Sequence, residues 1–162
     1  MIIGISGKLG SGKDYIGTNI VMPVLEKYKQ KTLHLNFADQ IKINIMSQSG
    51  IDYSDVYQKK TSTSRQLLQT EGTKVGRSID PNFWINYLKN WIKVFNMRGI
   101  QSFVVTDVRY KNEFEYIKNS GGIVIKVIAP ERNKLRLIEE GNDSKISQHC
   151  SECDLDSLVW NV

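Results

Sequence analysis

Apolar residues recur along this chain in a few spacings, and each spacing predicts an element. Short continuous runs, Ile2 to Ser6, Ser102 to Thr106 and Ile123 to Ile128, suit strands buried on both faces. Thr32 to Phe37 sets Leu33, Leu35 and Phe37 between polar neighbours, the alternation of another strand. Intervals of three and four mark helices. Ile16, Ile20, Val24 and Tyr28 form one stripe after the first strand, with Pro23 inside it, where the missing amide and the bulky ring predict a kink or break. The strongest helical signal starts with Asp80 as N-cap and Pro81 in the first turn. It continues with Trp84, Tyr87, Leu88, Trp91, Ile92 and Phe95 on one stripe and closes at Arg98-Gly99. Tyr110 to Asn119 predicts a helix ended by Gly121-Gly122, Glu131 to Glu140 another, and Ser157 to Asn161 a last short strand.

Strands alternating with helices over short connections predict an α/β fold in three layers, a parallel sheet of five strands covered on both faces, with ligands at the carboxyl ends of the strands. Residues 39 to 80 break the alternation, being polar and helix-prone without a strand, and predict a helical insertion over a site. The 162 residues make one domain of ordinary size, with neither repeat nor linker.

Composition narrows the class. Apolar residues make up 40% of the chain and charged residues 24%, yet no apolar run approaches the roughly 20 residues of a membrane span, which predicts a soluble protein. The N-terminus enters an apolar strand without the basic start of a secretory signal, so a cytoplasmic location is expected. A net charge of +5 favours anionic partners without choosing among them. Cys150 and Cys153, next to His149, have the Cys-x-x-Cys spacing of redox and zinc sites, but the second pair of ligands that a zinc site usually takes is missing from the sequence.

The sharpest chemical pattern is Gly7-Lys8-Leu9-Gly10-Ser11-Gly12-Lys13, placed between the first strand and the first helix. In such a loop the backbone amides converge on phosphate oxygens and the helix N-terminus adds its dipole. Gly10 and Gly12 permit close approach, while Lys13 neutralises the β and γ phosphates. The next residue is Asp14, where the common pattern has a Ser or Thr that binds magnesium. Asp14 could ligate the metal, directly or through water, or simply charge the helix start. Asp107 ends the strand Phe103-Val104-Val105-Thr106, a second candidate magnesium carboxylate or a structural anchor. Arg109 could clamp a phosphate, with Asn112 and Glu113 orienting it from the following helix. Asp39 and Lys42 stand in a similar place after the second strand, where an N-cap and a surface lysine would look the same.

Taken together, Gly-Lys-Asp in the loop, Phe37-Ala38-Asp39-x-x-Lys42, Arg65-x-x-Leu68-Gln69-x-x-Gly72-Thr73, Trp84, Asp107-Val108-Arg109 with Asn112-Glu113, and His149-x-Ser151-Glu152 resemble the phage and viral deoxynucleoside monophosphate kinases over nearly the whole chain. The resemblance implies a P-loop fold of the nucleoside monophosphate kinase type, with a donor site, an acceptor-binding insertion and a short lid near 129–152. The implied reaction moves the ATP γ-phosphate to a deoxynucleoside monophosphate with magnesium, without a nucleic-acid or membrane partner, and relatives suggest a homodimer. It further implies that Gly7, Lys8, Gly10, Ser11, Gly12 and Lys13 hold ATP, and that Asp14, Asp107 and in part Asp39 arrange magnesium. Lys42, Arg65, Arg77 and Arg109 would surround the acceptor phosphate, and Gln69, Thr73 and Trp84 would meet its base. Trp84 also lies on the apolar stripe of its helix, the ordinary place of a core residue. Arg132 and Arg136, four apart on one helix face, could close onto phosphates or the donor adenine, or form a solvated face. Relatives continue past the position of Asn161 into a turn and a helix, so a further part of the sheet's cover is expected beyond Val162.

Two other readings fit parts of the pattern. Phosphomevalonate kinases of the animal type share Gly-Lys-Asp and a basic acceptor site, although the amide and hydroxyl side chains between Arg65 and Thr73 suit a base better. A nucleic-acid-binding protein regulated by nucleotide would use the basic balance, but the lysines and arginines are scattered rather than clustered among aromatics.

Overall fold

A computed structural model describes residues 1–58, 61–139 and 154–158. In chain order its elements begin with β1 (Ile2–Gly7), a helix α1 over 13–27, and β2 (Thr32–His34). Next come α2 (Ala38–Ser49), the single wide turn α3 (Ser54–Gln58), a helix α4 over 62–77, and α5 (Phe83–Met97). The series ends with β3 (Ser102–Val108), α6 (Lys111–Asn119), β4 (Ile123–Val127) and α7 (Pro130–Glu139). The chain forms two compact units, one of Met1–Leu35 with Asn96–Val162, the other of Asn36–Phe95.

The first unit is built on a parallel sheet in the order β2-β3-β1-β4. Its period of two sorts the residues of β1 to opposite faces. Ile3 and Ile5 pack with Leu25 of α1 and Val104 of β3, joined by Ile16, Val21, Met22 and Val127. On the other face Gly4 has no side chain, and the space a β-carbon would take is filled by Ile117 of α6. Helix, sheet and helix therefore make three layers, as the alternation of elements predicts. Four strands are present among the described residues where five were expected. Ser157 and Leu158 of the fifth candidate lie in a turn and a bend, and the rest of that segment falls outside the described residues.

Two local departures have plain causes. Pro23 does not break α1; it opens the α-helical stretch Met22–Lys27, directly after a π-helical stretch Gly17–Val21. A proline removes an amide and crowds the carbonyl four residues back, and a wider turn at that point accommodates both. Helix α5 starts at Phe83, slightly later than predicted. Asp80 still caps it, Oδ1 accepting from the Asn82 amide at 2.8 Å and its carbonyl from the Phe83 amide at 2.9 Å.

The second unit is helical, and its core is Ile41, Ile45 and Trp84, with Leu67, Leu68 and Phe83 packed against them. Trp84 is 0% exposed and its indole N–H donates to the Gly72 carbonyl at 2.8 Å. Gly76, one turn on from Gly72, lies flat against the same indole, in space that a methyl group would need. Among the described residues no helix is long and apolar enough to cross a membrane.

Candidate active site

The glycine-rich loop leaves the central strand of the sheet, since β1 pairs with β3 on one edge and β4 on the other. Gly10 and Gly12 have φ of 81° and 86°, the left-handed region that glycine enters without penalty. Those two turns let the loop fold back and start α1, where the Ile16 amide already bonds to the Gly12 carbonyl at 3.0 Å. Lys13 begins the helix and is only 5% exposed, its ammonium held in place inside the loop rather than waving in solvent. The Ser11 side chain is also buried, and its hydroxyl has no hydrogen-bond partner among the described residues. Lys8, by contrast, is turned to Asp156 in an exposed ion pair of 2.6 Å, of small energetic weight.

Asp14 follows Lys13 and is mostly exposed. Its Oδ1 accepts from the Thr106 hydroxyl at 2.5 Å, while among the described residues Oδ2 has a long approach of 3.9 Å from Lys13 Nζ. Thr106 is fully buried at the end of β3 and lies 2.9 Å from His34 Nε2 at the end of β2. Three neighbouring segments thus meet at one hydroxyl, directly before half-buried Asp107. The pairing was not foreseen; a polar residue ending an otherwise apolar strand run was its only trace in the sequence.

Arg109, half-buried just after β3, is set in place from behind. Glu113 Oε2 accepts the amides of Arg109 at 2.8 Å and Tyr110 at 3.1 Å, capping α6. Glu113 is 1% exposed, its carboxylate turned to the backbone of Arg109 and Tyr110. Arg132 lies over the loop, with Nη1 2.7 Å from where a β-carbon of residue 12 would be. A cleft of about 290 Å³ borders Gly7, Lys8, Arg109, Lys126 and Asn133. Asn133 Oδ1 is buried and without a partner among the described residues. The Arg136 side chain, most of the expected lid, and His149, Cys150 and Cys153 fall outside the described residues.

In the second unit, Asp39 stands in the first turn of α2 and its Oδ2 accepts from the Asn36 amide at 2.8 Å. Its Oδ1 lies 3.1 Å from Lys42 Nζ, an (i, i+3) pair, and 3.5 Å from the Tyr57 hydroxyl. Lys42 is buried, with its ammonium 4.1 Å from the centre of the Tyr57 ring. Burial, together with the negative charge of Asp39, pushes the Tyr57 phenol up to about 12. Nothing in the sequence marked Tyr57.

Arg65, Gln69, Thr73 and Arg77 stand four apart along α4. Four residues overshoot one turn of an α-helix and fall short of one turn of a π-helix, so the change at Thr70 keeps the four in one row. Arg65 and Gln69 are exposed and Thr73 and Arg77 half-buried. Trp84 does not join them; its complete burial corrects the assignment to the acceptor base and leaves it as the centre of this unit's core.

The chain matches a family model described as deoxynucleotide monophosphate kinase over residues 19–155. It is also similar to a protein of Acanthamoeba polyphaga mimivirus provisionally named as a deoxynucleotide monophosphate kinase. The two are 28% identical over 153 residues, covering 80% of this chain and 75% of the viral one. The glycine-rich loop precedes the span matched by the family model, so its geometry and that match are separate observations. On both, the chain belongs to the deoxynucleotide monophosphate kinase family.

Proposed function

We propose that the chain moves the γ-phosphoryl group of ATP onto a 5′-phosphate oxygen of a deoxynucleoside monophosphate, giving ADP and the deoxynucleoside diphosphate. The observation that carries this reading is the buried Lys13 on a glycine-turned loop at the end of the central strand, in a member of this family. Phosphoryl transfer needs little covalent participation from the protein, so positioning and charge supply most of the acceleration.

In this reading the amides of Gly7 to Lys13 and the α1 N-terminus cradle the β and γ phosphates, and Lys13 follows the charge that builds on the transferring group. The Ser11 hydroxyl and the Asn133 carboxamide oxygen are buried groups that a bound donor nucleotide would satisfy. Arg132 closes over the phosphates from α7. Magnesium, when bound with the nucleotide, would offset the charge of the phosphate oxygens. Asp14 and Asp107 would hold it: Thr106 bonds one oxygen of Asp14, whose side chain is otherwise largely exposed. On the acceptor side, the family resemblance assigns the monophosphate to Lys42, Arg65, Arg77 and Arg109, and the base to Gln69 and Thr73.

ADP release with magnesium and ATP tests this against dAMP, dGMP, dCMP and dTMP, their ribose forms and phosphomevalonate. Release with one or more deoxynucleotides is the expected result. Release with phosphomevalonate alone would overturn the acceptor assignment, and silence with every acceptor, from folded protein that binds ATP, would overturn the reaction.

A further inference from the structure

Lys42 is an awkward residue to find buried. An ammonium withdrawn from water loses several kcal/mol of hydration unless partners replace it. Asp39 supplies one partner at 3.1 Å. A carboxylate alone would also neutralise the charge that an acceptor phosphate is meant to feel. The ring of Tyr57, 4.1 Å from the ammonium, provides attraction of another kind. Its quadrupole favours a cation over its face while taking up no hydrogen-bond acceptor and adding no negative charge. An ammonium has three N–H donors, and among the described residues only Asp39 accepts one of them, which leaves room for an anionic ligand.

The aromatic ring is itself fixed. Tyr53 stacks on it with ring centroids 4.6 Å apart and planes 16° from parallel, and both come from the short segment containing α3. The phenol points to Asp39, the same carboxylate that holds Lys42.

We propose that Tyr57 is a positioning residue for the acceptor, holding the Lys42 ammonium by its ring face so that the cation stays placed for the monophosphate. This rests on the reading of Lys42 as an acceptor-phosphate contact. Asp39, Lys42 and Tyr57 then work as one device, in which the carboxylate sets the place of the charge and the ring keeps it without cancelling it.

Steady-state kinetics with ATP and the preferred deoxynucleoside monophosphate test this. Tyr57→Leu is expected to raise KM for the acceptor by about tenfold, with KM for ATP unchanged, and Tyr57→Phe to restore most of the affinity. Phenylalanines carrying increasing numbers of fluorine atoms at position 57 keep the ring's shape while weakening its quadrupole, so acceptor KM should climb along the series. This series also serves if Tyr57→Leu fails to fold. A flat series, or equal losses for ATP and acceptor, would overturn the role of Tyr57. Lys42→Ala separates the two levels: if it raises acceptor KM while the fluorine series is flat, the acceptor reading stands and the proposal falls. If Lys42→Ala leaves acceptor KM untouched, the reading beneath the proposal falls as well.

Discussion

Thr106 donates its one hydroxyl proton to Asp14, at 2.5 Å, and that decides its relation to His34 on the other side. A carboxylate can only accept, so toward His34 the hydroxyl accepts too, and the imidazole proton resides on Nε2. The end of β2, the end of β3 and the first turn of α1 are joined in one polar chain inside the fold. Replacing Thr106 with Val keeps the shape of the side chain and removes both bonds. The expected cost is about 1 kcal/mol of stability, since exposed Asp14 regains water. With the carboxylate released, the magnesium needed for half-maximal rate should rise by roughly threefold to tenfold. Thermal melts and a magnesium titration check the two effects separately.

Lys13→Ala and Asp107→Ala should each lower kcat by about a hundredfold to a thousandfold, the usual loss when a placed electrostatic group is removed. Circular dichroism should show the fold intact in both. Turnover close to wild type in either variant would rule that residue out of the mechanism.

Gly12→Ala asks for more than a methyl group. The backbone at φ 86° costs an L-residue about 1–2 kcal/mol, and the new carbon meets Arg132 2.7 Å away. A lowered melting temperature and an ATP affinity weakened about tenfold or more are expected, the second measured by calorimetry. ATP binding as tight as wild type would mean that neither the loop's shape nor Arg132 contributes to it.

The order of elements and the loop were legible because they rest on local physics: an apolar run, a helical stripe, a glycine-rich turn between them. Asp14 could be named from the sequence but its partner could not, because Thr106 is 92 residues away and the two meet only once β3 lies beside β1. Trp84 shows the opposite limit. Its stripe fitted core and ligand contact alike, and the choice depended on Gly72 and Gly76, which form the flat bed for its indole. Glu113 was seen as an orienting residue, yet its burial follows from capping α6, a role that a loop rich in charge does not announce. The wide turns in α1 and α4 left no periodic signal, since each adds only one residue to a turn.

Gly76→Ala offers a test in which propensity and packing have opposite signs. Alanine is the better helix former by about 1 kcal/mol, and on an open helix surface the change would stabilise. Here the methyl group runs into the Trp84 ring, so a net loss of about 1–3 kcal/mol is expected in chemical denaturation. A stabilised variant would mean that the indole has room to move.

Tyr57 also predicts a pH effect on stability. Its phenol is held up at about 12 in the folded chain against about 10 when unfolded, so the folded state favours the neutral form. The stabilisation is whole below pH about 10 and disappears as pH rises toward 12, where the unfolded chain ionises first. Wild type should therefore lose stability faster than Tyr57→Phe across that interval, with the remaining tyrosines common to both. Parallel melting curves above pH 10 would show that the phenol is not held this way.

β1 is bonded along both edges, whereas β2 pairs over three residues with β3 alone among the described strands. Amides in such a central strand exchange with solvent chiefly when the sheet opens, which places Ile3 to Ile5 among the slowly exchanging positions of the described sheet. The glycine-rich loop hangs from that strand, so its mounting has the lifetime of the folded sheet itself.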